Sequence, residues 1–572
     1  MKKRILPVII ALLMILVVGA IGFGGKILDR YSYSREYADL NEYYGVENPA
    51  LGAEDGNLAI VLQDDIIAEQ AVVTNGIVYF DLDTVQTYFN EIFYADMNEQ
   101  KLLLTTANDT ATALFGESGF TDSQGVHSTE YAVCYTAGEK LYIAADYVKL
   151  FANFSYEKFD RHLQVYTEWG TRQVCQVTKD TDLRLKGGIK SPILRELAKG
   201  ETVELLEQME TWSKVKTSDS VIGYVENKRL GDIGSEEETP VTAYVPAEYT
   251  SAGLEGKVSL GWHAVYGAAG NDTLDAMVAE GKGMNVIAPT WFSLTDNEGG
   301  FRSYASADYV NKAHGYGLKV WGVWDDFNAG QQIDSYQLFS STTRRQNLAQ
   351  NMVSATLQYG LDGINLDFEK MSGESRTHFN QFLRELSVLC RQNGLTLSVD
   401  NYVPLNSSNT ARLDIQGQVA DYVIIMGYDE HWGGCQEAGS VASIDYVSGG
   451  LDRTLEQVPA EKVINALPFY TRVWKTEGTQ VTDEAIPLSN VADYLSRVGK
   501  TDAVEWDEET CQNYVEWQSG NATYQIWIED VESLTVKLNV MSARSIGGVA
   551  VWRLGYGTPA AWELIAAYAG AN

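Results

Sequence analysis

The sequence predicts an α/β protein whose C-terminal half, residues 254–572, is a (β/α)8 TIM barrel. Before it stand a small all-β barrel, a small α/β repeat module and an N-terminal transmembrane helix. Three observations predict the barrel. From residue 254 onward, short apolar runs alternate with helical patterns, the order that builds a parallel sheet. Polar and aromatic residues gather at the C-terminal ends of those runs, where the active residues of such barrels stand. One run, Leu361-Asp362-Gly363-Ile364-Asn365-Leu366-Asp367-Phe368-Glu369, alternates apolar and polar side chains over its length.

A chain of 572 residues with 45% hydrophobic content can fill several cores. Its 77 acidic residues against 43 basic ones, net charge −34, exclude nucleic acid as a partner, because the phosphates would repel it. The five cysteines (Cys134, Cys175, Cys390, Cys435, Cys511) show no CxxC spacing, and the six histidines form no HExxH pair. No metal or other cofactor is implied.

In chain order, Met1-Lys2-Lys3-Arg4 precedes an apolar run from Ile5 to Phe23. The run is close to the ~20 residues that span a bilayer, and no Ala-x-Ala cleavage site follows it. It reads as an uncleaved anchor with the N-terminus in the cytoplasm. The expected location is the cell membrane, single-pass, with the catalytic part extracellular; a signal peptide and secretion are the alternative. Residues 26–50 are polar and rich in tyrosine and read as a stalk. Within residues 51–170, Tyr79, Asp83, Val85, Tyr88, Asn90 and Phe93 recur 63 positions later as Tyr142, Asp146, Val148, Phe151, Asn153 and Tyr156. Each copy reads as strand, helix, strand. The pair resembles the N-terminal module of copper amine oxidases, which implies binding or spacing and no copper chemistry.

Residues 171–233 contain Leu183-Arg184-Leu185, Trp212-Ser213-Lys214-Val215 and Gly223-Tyr224-Val225, short strands broken by turns. They resemble bacterial Src-homology-three-like barrels, which implies attachment to cell-wall peptide. Trp212 and Tyr224 read as core aromatics ahead of ligand contacts. The mixture of Gly, Ser, Glu and Pro that begins at Gly231 reads as a linker running to residue 253.

The barrel strands are expected at Val258–Trp262, Val286–Pro289, Lys319–Val323, Gly363–Glu369, Thr396–Asp400, Tyr422–Met426, Val463–Leu467 and Gly547–Trp552, with an insertion between about 474 and 540. Their C-terminal ends carry Trp262, Thr290-Trp291, Trp324-Asp325-Asp326, Asn401-Tyr402, Gly427-Tyr428-Asp429, Arg472 with Trp474, and Trp552. A groove of rings with a few polar groups suits sugars. In the fourth strand Ile364, Leu366 and Phe368 share one face, and Asn365, Asp367 and Glu369 the other, along about 13 Å. Helical patterns on both sides place this strand in a covered parallel sheet, where a row of acids needs a purpose.

The pattern Asp362-Gly363-x-x-x-Asp367-x-Glu369 resembles the active-site signature of glycoside hydrolase family 18, the chitinase-like barrels. Met426-Gly427-Tyr428-Asp429 is similar to the family's Met-x-Tyr-Asp on the sixth strand, and Trp552 to its tryptophan on the eighth. Pro289-Thr290-Trp291-Phe292, and Asn365 where the family often has Asp, are closer in wording to bacterial spore-cortex and cell-wall N-acetylglucosaminidases. The resemblance implies a retaining, substrate-assisted enzyme that cleaves β-1,4 bonds after N-acetylglucosamine, using the sugar's own 2-acetamido oxygen as nucleophile.

The resemblance also implies roles. Glu369 is the general acid and then the base, Asp367 orients the acetamido N–H and steadies the cation, and Tyr428 hydrogen-bonds the acetamido oxygen. Asn365 holds Asp367, Asp429 hydrogen-bonds substrate, Trp552 floors the sugar, and Asp362 supports the strand. Trp291, Trp324 and Asn401 are expected to line the groove with them. The expected partner is a GlcNAc-containing polysaccharide, peptidoglycan first. A chitinase or endo-N-acetylglucosaminidase on another glycan, and a catalytically silent glycan-binding protein, are the alternatives.

Overall fold

The computed structural model describes residues 9–18, 30–52, 54–242, 244–405 and 412–571. Among them, no helix is long and apolar enough to cross a membrane. This corrects the expected single-pass anchor and the membrane as a partner. Residues 9–18 of the apolar run are helical. The rest of the apolar run, at residues 5–8 and 19–23, lies outside the described residues.

The chain forms two compact units. The first spans residues 1–93, 113–120 and 126–246. One seven-stranded sheet brings the two sequence repeats side by side: Ile77–Asp81 runs antiparallel to Lys140–Ala144, with Phe80 opposite Ile143. Each of these strands leads straight into a helix, Leu82–Tyr88 and Ala145–Val148. Asp81 caps the first, its carboxylate accepting the Thr84 N–H at 2.9 Å.

A second seven-stranded sheet covers residues 171–237 and packs around Leu183, Leu197, Val203, Val215 and Val225. Trp212 and Tyr224 are half-buried and stand outside that core. Leu230–Glu237, expected to open a linker, is instead a strand paired with Thr171–Val177. It covers the backbone N–H and C=O groups that this edge would otherwise leave open. Nor is the tyrosine-rich segment a free stalk. The Tyr37 hydroxyl donates to Glu196 and that of Tyr43 to the Ile222 carbonyl, both at 2.6 Å, while Tyr44 is buried.

The second unit contains the barrel. Its strands are β1 (Val258–His263), β2 (Val286–Pro289), β3 (Lys319–Asp325), β4 (Gly363–Asp367), β5 (Thr396–Tyr402), β6 (Tyr422–Met426), β7 (Val463–Pro468) and β8 (Gly548–Trp552). They are parallel in the order 2-1-8-7-6-5-4-3, and β2 pairs with β3 to close the ring. Inward side chains such as Leu260, Val286, Trp321, Ile424, Ile464 and Ala550 fill the barrel. Outward ones such as Ile287, Ile364, Leu366, Val399 and Val551 pack under the surrounding helices. Alternation along each strand therefore separates an inner from an outer core. The insertion lies between β7 and β8 as a five-stranded sheet within Tyr470–Ile528, carrying the helix Leu488–Val498.

Residues 94–112 also belong to this unit. They sit on two helices of the barrel, α1 (Thr342–Tyr359) and α2 (Arg376–Gln392). At the start of α1, Asp96 accepts the Thr342 N–H at 2.6 Å and Glu99 accepts the Thr343 N–H at 2.8 Å. Carboxylates are stabilised there by the unpaired amides of the first helical turn. Tyr94 meets His378 of α2 at 2.6 Å. The unit thus draws on chain well before residue 254.

Candidate active site

On β4, Ile364 and Leu366 go to the outer core, which turns Asn365 and Asp367 inward. The strand ends at Asp367, two residues before the expected end, and Glu369 stands in the loop beyond. That loop is held by Asp326, just past β3: one carboxylate oxygen accepts the Glu369 N–H and the other the Lys370 N–H, each at 3.0 Å. Burial pushes the Asp326 carboxyl up to about 6.

A cavity of about 230 Å³ opens at the C-terminal end of the barrel. Asp325, Asp367, Glu369, Asp400 and Asp429 line it with Trp262, Tyr402, Tyr428 and Trp552, and no lysine or arginine does. Burial raises the Glu369 carboxyl above the ordinary carboxylate range, while a hydrogen bond donated by the Tyr402 hydroxyl draws it back down. Asp367 is raised further, first by burial and then by the charges of Asp400 and Glu369. Its Oδ1 is shut off from solvent and has no hydrogen-bond partner among the described residues. Asp400 is also raised well above the usual range by burial, against the amide hydrogen bond it accepts from Asn365. Burial likewise raises the Tyr428 hydroxyl, so it stays protonated and able to donate. Asp429 adopts the left-handed backbone region, φ 59°, which Asp tolerates better than most residues. It accepts the Tyr470 hydroxyl at 2.6 Å and faces Arg472 at 3.5 Å.

The structure brings together Asp367, Glu369, Tyr428, Asp429 and Trp552. Asn365 is fully buried and does not line the cavity; its amide donates to Ser398 and Asp400 and its carbonyl accepts from Trp262. Trp291, Trp324 and Asn401 lie elsewhere, which corrects their expected place in the groove. Trp291 is fully buried, with its indole N–H on Asn271 at 2.8 Å. Trp324 is fully buried and stacked on Phe292 with ring centres 4.4 Å apart. The Asn401 amide pairs with Gln416 at 2.7 and 3.0 Å. All three follow an inward residue by one position: Thr290, Val323 and Asp400 line the cavity instead. Asp362 is at the opposite end of β4, bonded to Lys319, His314 and the Val320 N–H. Trp474 is buried with its indole N–H on the Gly439 carbonyl.

Two residues of this site have no role in the sequence reading, Asp326 and Tyr402, and Asp400 is absent from its strand-end clusters. The signal for Asp400 was available. In Leu397-Ser398-Val399-Asp400-Asn401-Tyr402 the apolar pair Leu397 and Val399 faces outward, so Ser398, Asp400 and Tyr402 face inward.

Residues 296–557 match the family described as Glycosyl hydrolases family 18, and residues 179–231 match Bacterial SH3 domain. The chain is 27% identical over 236 residues to the cortical fragment-lytic enzyme of Bacillus anthracis, a match that covers 40% of this chain and 54% of that protein. It therefore spans about half the length of that relative. It is 25% identical over 314 residues to a protein of Bacillus subtilis (strain 168) named uncharacterized glycosylase YvbX, covering 49% of this chain and 84% of the other. The solved structure of the Bacillus cereus spore cortex-lytic enzyme SleL aligns over 54% of this chain and 73% of that one, at 22% identity and a TM-score of 0.49. The two family matches identify residues 296–557, which hold six of the eight barrel strands, as a glycosyl hydrolase family 18 domain and residues 179–231 as a bacterial SH3 domain.

Proposed function

We propose that this protein is a retaining, substrate-assisted β-N-acetylglucosaminidase that cuts β-1,4 bonds after N-acetylglucosamine in peptidoglycan. The observation that carries the reading is the placement of Glu369, Asp367 and Tyr428 around one cavity walled by Trp552. Glu369, raised by burial, holds a proton it can give to the leaving oxygen. As that bond breaks, the acetamido oxygen of the same sugar closes on the anomeric carbon and forms an oxazolinium ion. Ionised Asp367 accepts the acetamido N–H and balances the positive charge, while the Tyr428 hydroxyl donates to the acetamido oxygen. Glu369, now a carboxylate, takes a proton from the water that reopens the ring, and the two inversions give net retention.

Five carboxylates line the cavity and, among the described residues, no lysine or arginine does, which favours a sugar that carries no carboxylate of its own in this seat, N-acetylglucosamine rather than its lactyl ether. The cortical fragment-lytic relative supports a wall glycan as the polymer. The test is digestion of purified peptidoglycan, chitin oligosaccharides and cello-oligosaccharides, with new reducing ends read by mass spectrometry. GlcNAc ends from the first, and no cleavage of the cello-oligosaccharides, which lack the acetamido group, are expected. Comparable cleavage of the plain glucan would sink the substrate-assisted reading.

Tyr402→Phe tests the assignment of the acid. The lost hydroxyl stabilises ionised Glu369, so the variant's Glu369 holds its proton to higher pH. The alkaline limb of kcat/KM, where the acid is lost, is expected to move upward in pH. An unmoved limb would assign it to another group.

A further inference from the structure

The geometry points to Asp400 as the proton partner of Asp367, a positioning residue that supplies from the neighbouring strand what the neutral Asn365 cannot. The inference rests on the substrate-assisted reading above and deepens it.

Asn365 is locked by its own hydrogen bonds. Its amide nitrogen donates to Ser398 Oγ at 3.0 Å and to Asp400 Oδ1 at 2.8 Å, and its carbonyl accepts the Trp262 indole N–H at 2.9 Å. Turning the amide over would set N–H against N–H at Trp262 and oxygen against oxygen at Asp400. Fully buried and held on three sides, it neither takes nor gives a proton.

Asp367 needs such a partner. β4 and β5 are in parallel register with Leu366 beside Val399, so the next inward residues, Asp367 and Asp400, enter one cavity from adjacent strands. The Asp367 Oδ1 is buried with no hydrogen-bond partner among the described residues, and Asp400 is 7% exposed. The titratable groups around them are Asp325 and Asp326 at the end of β3, Glu369 beyond β4, Tyr402 on β5, and Tyr428 and Asp429 beyond β6, every one acidic or neutral. Two cations act on this cluster from its rim: Lys370, exposed, draws on Glu369, and Arg472 faces Asp429 at 3.5 Å. Two carboxylates entering one cavity from adjacent strands, with no lysine or arginine lining it among the described residues, cannot both ionise without a large cost, so they hold one proton between them and titrate as a pair. When Asp367 turns to the acetamido N–H it must be ionised, and the proton then rests on Asp400. When the product leaves, the proton can return, and none is exchanged with solvent.

The test uses the full chain and the near-isosteric Asp400→Asn. Infrared difference spectra across a pH series should show a buried carboxylic acid in the wild type that persists above the ordinary carboxylate range. In Asp400→Asn and in Asp367→Asn that proton should leave at lower pH, because each variant removes one of the two competing charges. On 4-methylumbelliferyl N,N′-diacetylchitobioside, Asp400→Asn is expected to lose about 10- to 100-fold in kcat with KM little changed and to alter the pH profile. The exchange variant Asn365→Asp/Asp400→Asn puts the acid on the other side of the same hydrogen bond and is expected to recover to within about tenfold of wild type. An infrared proton in Asp400→Asn that titrates as in wild type, or wild-type kcat and pH profile in that variant, overturns the pairing. A wild type that cuts no glycan yet shows the shared proton, lost in both single variants, counts against the proposed function and for the pair.

Discussion

Glu369→Gln is expected to lower glycan cleavage by about 10²- to 10⁴-fold while leaving binding in place, the usual worth of a positioned general acid and base. Glutamine keeps the size of the side chain and its ability to accept the Tyr402 hydroxyl, but it has no proton to give to a leaving alkoxide. The backbone of the loop is held separately, by Asp326 on the N–H groups of residues 369 and 370, so the substitution leaves the loop where it is. Reducing ends released from peptidoglycan report the rate, and co-sedimentation with the same material reports binding. A variant as active as wild type would remove Glu369 from the chemistry. No product from either protein, with binding retained by both, would turn the reading to a glycan-binding protein.

Arg345→Met is expected to destabilise the barrel unit by about 3–5 kcal/mol, the cost of leaving a buried ion pair with one member. Arg345 is fully buried, and its guanidinium donates to both Glu385 carboxylate oxygens, the Phe339 carbonyl, Thr342 Oγ1 and the Tyr94 hydroxyl. It therefore ties α1 and α2 to the segment 94–112. Burial already holds the Glu385 carboxyl above its ordinary value, and losing the guanidinium raises it more. A carboxyl raised in the folded state binds a proton there that the unfolded chain has released, so stability falls as pH rises. Urea unfolding at about pH 5 and about pH 8 should show the larger deficit at the higher pH. An equal deficit at both would mean that Glu385 stays ionised in the variant.

Much of the barrel was legible because its signals are local. Period-two alternation set Ile364 and Leu366 against Asn365 and Asp367, and the structure keeps those faces. The misplaced tryptophans and Asn401 come from reading the strand ends as clusters rather than continuing the alternation through them. At β3, Val323 and Asp325 enter the cavity and Trp324 between them must face out. A slip of one position exchanges the faces, and a large aromatic ring fits the outer core as well as it fits a sugar groove.

By itself the sequence determined the eight parallel strands, the face that carries Asp367, the acid Glu369 and the Tyr428–Asp429 pair, since each rests on residues a few positions apart; that Glu369 stands in the loop beyond the strand is the structure's addition. Only the tertiary structure decided that Asp400 meets Asn365 across two strands, that Asp326 grips the Glu369 loop, that residues 94–112 join the barrel unit, and that residues 230–237 complete a sheet instead of linking two domains. Those contacts join segments whose separate patterns are equally compatible with solvent. They form because a buried amide, carboxylate or strand edge must find its hydrogen-bond partner wherever the fold brings one near.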